Sequence, residues 1–289
     1  MRVWLGVLLC WLGFSTGLVW AQSPRVITSD WTVAETLMAL QHPPLGVGDK
    51  RAYERWVIEP RLPSSSVDLG LRTQPNIELV LSLRPDYVVN AEWLQQALPD
   101  LPSIGKKINL EFYTPQGHSW AQSVAATRQL GALVQRPQAA EALITQTQTQ
   151  LRQQGLSLQK WRDRPLAIVQ FIDARHLRIY GDNSLFGTVL RMMSLTNAWP
   201  TVNNAWGGEQ IDLTQLAKLP ANTLMVIVAP YPPHMAKQVG QNKLWQRLPF
   251  GQPQRVVTLP AVWSFGGLPA MGRFAEVLTQ QLRQQGDQP

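Results

Sequence analysis

Residues 75–89 read Pro75-Asn76-Ile77-Glu78-Leu79-Val80-Leu81-Ser82-Leu83-Arg84-Pro85-Asp86-Tyr87-Val88-Val89. Apolar residues recur at helical spacing up to Leu83, Arg84-Pro85-Asp86 breaks the pattern, and Tyr87-Val88-Val89 is a β-branched strand. The same order returns in the second half. Ile211-Asp212-Leu213-Thr214-Gln215-Leu216-Ala217-Lys218-Leu219 repeats the helix, Pro220-Ala221-Asn222 the turn, and Leu224-Met225-Val226-Ile227-Val228 the strand. Further strand-like runs at 26–28, 166–172, 177–180 and 256–259 alternate with helical stretches. Such alternation predicts an α/β protein of two similar lobes with mostly parallel sheets.

Between the repeats, residues 138–152 form one Ala/Gln/Thr-rich helical stretch, with Pro137 before it and Gly155 after it as helix punctuation. Roughly twenty helical residues span about 30 Å, the width of a small domain. The stretch is either a surface helix of a single domain or a strut running across both lobes. As a strut it makes the cleft between the lobes largely pre-formed, and small-molecule sites favour such clefts. The organisation expected is a leader at 1–21, a first α/β lobe at 22–136, a bridging helix at 137–160 and a second α/β lobe at 161–289.

The leader is read from Met1-Arg2, a mostly apolar run from 3 to 19, and Ala21 before the polar Gln22-Ser23-Pro24. This is the pattern of a secretory signal peptide cut after Ala21. The alternative is a single membrane anchor, against which Gly6, Gly13, Ser15, Thr16 and Gly17 dilute the run. The one Cys, Cys10, falls inside the leader, so the mature chain has no thiol, as suits an oxidising compartment. With Trp4, Trp11 and Trp20 also removed, nine of the 12 Trp remain.

Of the 289 residues only 16% are charged, and 22 Pro, 20 Gly and the many Trp exclude a coiled coil, a fibre or a disordered tail. The net charge of +7 is scattered without a basic run, which argues against nucleic acid as partner. His42, His118, His176 and His234 stand apart, and no nucleophile elbow, P-loop or dinucleotide fingerprint occurs. No catalytic group and no bound cofactor are therefore expected. His176 reads as a turn residue before a strand, and the other three as loop or helix-start residues.

Aromatic residues at segment ends carry more information. Trp31 follows the first strand, Trp93 follows Tyr87-Val88-Val89-Asn90, and Trp263-Ser264-Phe265-Gly266-Gly267 follows the strand at 256–259, all at carboxyl ends where α/β ligands bind. Trp56 and Trp206 read as loop residues. Each Trp alone is most simply core; several on one cleft make an apolar lining for a bulky, delocalised ligand. Arg72, on the loop before the helix at 75–83, is either a solvated loop cation or a planar fork for paired ligand oxygens.

The runs Trp56-Val57-Ile58-Glu59-Pro60-Arg61-Leu62-Pro63 and Val67-Asp68-Leu69-Gly70-Leu71-Arg72-Thr73-Gln74-Pro75-Asn76-Ile77-Glu78-Leu79 resemble the periplasmic ferric-hydroxamate siderophore-binding proteins of ABC importers. So do Asp173-Ala174-Arg175-His176, Gly181-Asp182-Asn183-Ser184-Leu185-Phe186, Asn197-Ala198-Trp199, Ala205-Trp206-Gly207 and Pro260-Ala261-Val262-Trp263-Ser264-Phe265-Gly266, in collinear order. The resemblance implies two Rossmann-like lobes bridged by a long helix, a monomer, and delivery of iron(III)-hydroxamate complexes to an inner-membrane permease. By resemblance, Arg72 holds hydroxamate oxygens, and Trp31, Trp56, Trp206, Trp263 and Phe265 line the cleft, with Trp199 beside them. The family's hydroxamate-binding Tyr falls near 90–94, where Trp93 stands instead, and Ser264 replaces a second aromatic. By resemblance, Glu78 matches the first acidic position that meets an arginine of the transporter; the second falls on Thr214, with nearby Asp212 as its substitute, and Asp212 also reads as a helix N-cap. The alternatives are a binder of another bulky iron chelate, haem or cobalamin, or an exported enzyme acting on such a ligand.

Overall fold

The structure, a computed structural model, describes residues 23–286 apart from positions 203, 232, 233, 249 and 251. The expected leader lies outside the described residues. Two five-stranded sheets carry the fold. In the first, the strands run in the order Val67–Asp68, Gly46–Val47, Val26–Thr28, Tyr87–Asn90, Lys106–Asn109, and all neighbours are parallel. In the second the order is Gly208–Asp212, His176–Tyr180, Leu166–Phe171, Leu224–Val228, Val256–Leu259.

The second sheet is mixed. Leu166–Phe171 and Leu224–Val228 are buried along their whole length, as parallel strands covered on both faces must be, and they pair in parallel. His176–Tyr180 returns antiparallel, because the four residues after Phe171 are too few for a crossover. Asp173 closes that turn by accepting the Arg175 and His176 amides at 2.7 and 2.8 Å, and its other oxygen meets His176 Nδ1 at 2.8 Å. His176 is thus the first residue of the strand rather than a turn residue.

The expected helix at 211–219 is not one. Ile211 and Asp212 end the edge strand, paired with His176 and Leu177, and Leu213–Lys218 winds as a 3₁₀ helix. Leu213, Leu216 and Leu219 are buried at a spacing of three, the period of that helix, so the apolar pattern was of the wrong type for an α-helix. Its counterpart, Ile77–Leu83, is a true α-helix capped by Asn76, whose Oδ1 accepts the Leu79 amide at 3.0 Å.

The helix Pro137–Ser157 starts with Pro and buries one narrow stripe of Ala140, Ile144, Thr147, Leu151 and Gly155. It packs on Trp120–Leu133 from the first half and on Leu185–Met192 and Leu268–Gly286 from the second. The molecule is therefore an α/β protein of two lobes spanned by one long helix, as the sequence predicts. The C-terminal helix Leu268–Gly286 also reaches Trp31–Ala39 of the first half, which joins the lobes a second time. No helix among the described residues is long and apolar enough to cross a membrane.

Candidate functional site

The carboxyl ends of Val26–Thr28, Tyr87–Asn90 and Val256–Leu259 converge on one cleft. Buried Asn90 fixes the first two: its Oδ1 accepts from Thr28 Oγ1 at 3.0 Å, from the Ser29 amide at 2.7 Å and from the Asp30 amide at 3.2 Å. Asp30 in turn caps the helix Trp31–Ala39 through the Thr32 amide at 2.9 Å. Trp31 is thereby set at the first turn, 5% exposed, with its indole Nε1 donating to Gly48 O at 2.8 Å.

Arg72 lies over Trp31. It sits at the tip of the hairpin Gly70–Leu71/Gln74–Pro75, where its amide donates to Asp49 Oδ2 at 2.9 Å and its Nε to Ser29 O at 2.8 Å. The guanidinium carbon is 4.3 Å from the Trp31 ring centre, 5.6 Å from Trp263 and 5.8 Å from Trp93. Burial pulls its pKa down, and Asp30 and Asp49 oppose the shift; a guanidinium so placed stays charged. Its two terminal NH2 groups make no hydrogen bond among the described residues.

From Trp31 an unbroken series of ring contacts crosses the cleft. Trp31 meets Trp263 at 4.8 Å, Trp263 meets Phe265 at 5.3 Å, Phe265 meets Trp206 at 5.5 Å, and Trp206 meets Trp93 at 6.1 Å. All four are edge-to-face, a favoured geometry for aromatic quadrupoles. Gly207, with φ of 69°, packs so closely that a Cβ would lie 2.3 Å from Ser184 Cα, which fixes the loop that carries Trp206.

These residues enclose a cavity of about 320 Å3. Of the residues expected on the cleft, Arg72, Trp93, Trp206, Trp263 and Phe265 line it. Trp31 stands behind Arg72 and Trp263. Trp56 ends the helix Lys50–Trp56 rather than lying in a loop; it meets Trp263 at 6.5 Å and faces an adjoining depression. Trp199 packs on the far side of the second sheet. A longer depression along the Gln/Thr face of the bridging helix is open to solvent and carries no aromatic residue.

Among the lining residues that escaped the sequence reading, Tyr113 and Arg178 bring the most chemistry. Tyr113, on the small hairpin Tyr113–Thr114/Gly117–His118, lies 5.8 Å from Trp206 and 6.5 Å from Phe265, and its hydroxyl donates to Ser264 O at 3.4 Å. Burial raises its phenol pKa. Arg178 sits mid-strand in His176–Tyr180, with its guanidinium 5.6 Å from the Phe265 ring. The hints of these two were a cation inside a strand and a Tyr just before the Pro115-Gln116-Gly117 turn.

The second-lobe segment that carries Trp263 and Phe265 is held by a first-lobe helix. Thr32 Oγ1 accepts from Trp263 Nε1 at 3.2 Å and donates to Phe265 O at 2.8 Å. Glu35, wholly buried one turn on, accepts the Gly267 amide at 2.7 Å through Oε1, while Oε2 has no hydrogen-bond partner among the described residues. Burial pushes the Glu35 carboxyl up to about 8, so it is protonated at neutral pH.

His118 is not a loop residue. It is buried, with Nε2 2.8 Å from Ser123 Oγ and Nδ1 3.2 Å from Thr188 Oγ1, and burial lowers its pKa to about 3. The third partner is a hydroxyl, not the carboxylate of a hydrolytic triad. Glu78 is exposed in the first turn of its helix, and Asp212 accepts the Thr214 amide at 2.7 Å as a cap.

Over residues 26–262 the chain matches the periplasmic binding protein family, and it belongs to that family. Among its relatives, the iron(3+)-hydroxamate-binding protein FhuD of Escherichia coli (strain K12) is 30% identical over 261 residues, covering 88% of this chain and 85% of that one. The achromobactin-binding periplasmic protein of Dickeya dadantii (strain 3937) is 28% identical over 259 residues, covering 84% and 81%. Among solved structures, the siderophore-binding protein FhuD of Vibrio cholerae with Fe3+-Desferal bound superposes with a TM-score of 0.84 at 27% identity, covering 90% of this chain and 98% of that one.

Proposed function

We propose that this chain captures iron(III)-hydroxamate siderophores in the periplasm and delivers them to an inner-membrane ABC importer. The observation that carries the reading is Arg72: pinned through Nε to Ser29 O and laid on Trp31, it offers two free NH2 groups into an aromatic cavity. A hydroxamate complex presents paired oxygens on a bulky body of low charge, and a planar donor fork on an apolar wall suits both features. The chelate already fills the coordination shell of its iron, so the protein contributes surface and donors rather than metal ligands. Tyr113 supplies a phenol in the wall where the family's Tyr position carries Trp93.

The names of the Escherichia coli and Vibrio cholerae relatives support the ligand class. The expected leader supports export, and exposed Glu78 with Asp212 supports docking to permease arginines by a monomer. Intrinsic Trp fluorescence tests the reading: ferric desferrioxamine B or ferrichrome should quench it saturably at micromolar concentration, and the ligand should be recovered unaltered. No quenching by any ferric hydroxamate overturns the proposal and moves the search to haem, cobalamin and ferric catecholates; a chemically changed ligand favours an enzyme.

A further inference from the structure

The wall of the cavity does not end at Phe265. On the other side of Arg178 lies a depression of about 510 Å3 whose polar lining is Arg55, Gln170, Arg178 and Tyr231, with Trp56 between it and Trp263. Arg178 lines both spaces. Their charges differ: the aromatic cavity sets the carboxylates Asp30 and Glu111 against its two arginines, whereas no residue lining the depression is acidic.

Arg178 is held there by the sheet. Its cross-strand partners are Gln170 on one side and Gln210 on the other, so no carboxylate faces it within the ladder, while Glu209 pairs with Ile179. Gly208 leaves room for its stem, since a Cβ at that position would lie 2.8 Å from Arg178 Cδ. Arg55 comes from the last turn of Lys50–Trp56 in the first lobe, and Arg178 from the second. A group held by both therefore bridges the lobes.

We propose that this depression is a second ligand subsite, which takes a carboxylate-bearing arm of the iron chelate whose body fills the aromatic cavity. The inference rests on the ferric-hydroxamate reading above. Arg55 and Arg178 supply the cationic forks, Tyr231 and Gln170 line the floor, and Trp56 packs on the linker. The subsite makes the protein selective by charge among chelates of one body.

The probes are the ferric complexes of N-succinyl- and N-acetyl-desferrioxamine B, which share the trihydroxamate and differ in ending the arm with a carboxylate or a methyl group. At low ionic strength the succinyl complex should bind wild-type protein about tenfold more tightly, the scale of a charge-assisted hydrogen bond. The advantage should shrink as salt is raised, and the ratio should fall to about one in the Arg55→Gln/Arg178→Gln double variant. Because the ratio is taken within one protein, a general loss of affinity in the variant leaves it readable. Equal affinities in the wild type, or a ratio that survives the double substitution, overturns the subsite and leaves the hydroxamate reading standing. Binding of neither complex overturns both.

Discussion

The aromatic wall has a floor and a mouth, and the two are built differently. At the floor Trp31 and Trp263 are 5% and 8% exposed, and each indole N–H is bonded, to Gly48 O and to Thr32 Oγ1. At the mouth Trp93 and Trp206 are 46% and 42% exposed, and neither indole N–H has a partner among the described residues. The floor is thus part of the fold: buried rings in a close-packed interior with their donors satisfied. The mouth is surface kept apolar and wet, with donors left over. One series of ring contacts therefore joins residues whose loss costs stability to residues whose loss costs binding.

The largest loss of stability is expected at Trp31. Trp31→Ala removes a buried ring packed on Tyr53 and Trp263 and should lower stability to urea by about 3–5 kcal/mol. A loss no larger than that of Trp93→Ala would mean the floor is not core. Arg72 sharpens the boundary between the two, since it lies on the floor but points its free NH2 groups into the cavity. Arg72→Gln should weaken ferric hydroxamate binding by about tenfold to a hundredfold. Unchanged affinity by fluorescence titration would remove Arg72 as the polar anchor.

How much of this was legible in the sequence follows from the same division. Buried strands such as Leu224–Val228 announce themselves because both faces are covered and every residue is apolar. Trp93, Trp263 and Phe265 were legible because they follow the carboxyl ends of strands, whereas Trp206, read as a loop residue, was placed on the cleft only by the resemblance. Depth was not legible: Trp31 has the same type and segment-end position as the lining residues yet stands behind them, and Trp56 opens on the adjoining depression instead, since packing between lobes decides which ring comes forward. Arg178 and Tyr113 were missed for a related reason. Alternation assigns a side chain to a face, but only the assembled lobes reveal that the face is a cavity, and Tyr113 meets Ser264 across 151 residues of chain. Glu35 looks like an ordinary helix carboxylate until the C-terminal segment, 232 residues away, covers it.

Glu35 tests whether the floor is tied across the lobes. Its native pKa, about 8, lies above the ordinary carboxyl value, so the native state holds a proton that the unfolded chain has released. That contribution is complete below the unfolded value, declines as pH rises, and is gone once pH has passed through about 8. Between pH 7 and 8 wild-type protein should lose about 1 kcal/mol that Glu35→Gln retains. Asp30, Tyr53 and Tyr113 are the titratable neighbours that feel the charge; the tyrosines stay neutral here, and His118, depressed to about 3, acts only on the acid side. Parallel pH profiles for wild type and Glu35→Gln would show that the carboxyl is not buried against Gly267.

The smallest effect on stability belongs to the mouth. Trp93 touches the wall through one edge contact with Trp206 and one long approach by Arg72, and such a pair at a half-exposed site is worth about 0.5–1.5 kcal/mol. Trp93→Ala should therefore shift the unfolding midpoint little, by about 1 kcal/mol or less. It should nonetheless reduce affinity for a ferric hydroxamate several-fold, because bound ligand turns the exposed ring into buried contact area. The decisive quantity is the ratio of the two losses, measured by urea titration and by fluorescence on the same preparation. At the mouth binding should suffer more than folding, and at Trp31 folding more than binding. If Trp93→Ala costs stability and leaves affinity intact, mouth and floor are one continuous core, and the ligand lies elsewhere in the cleft.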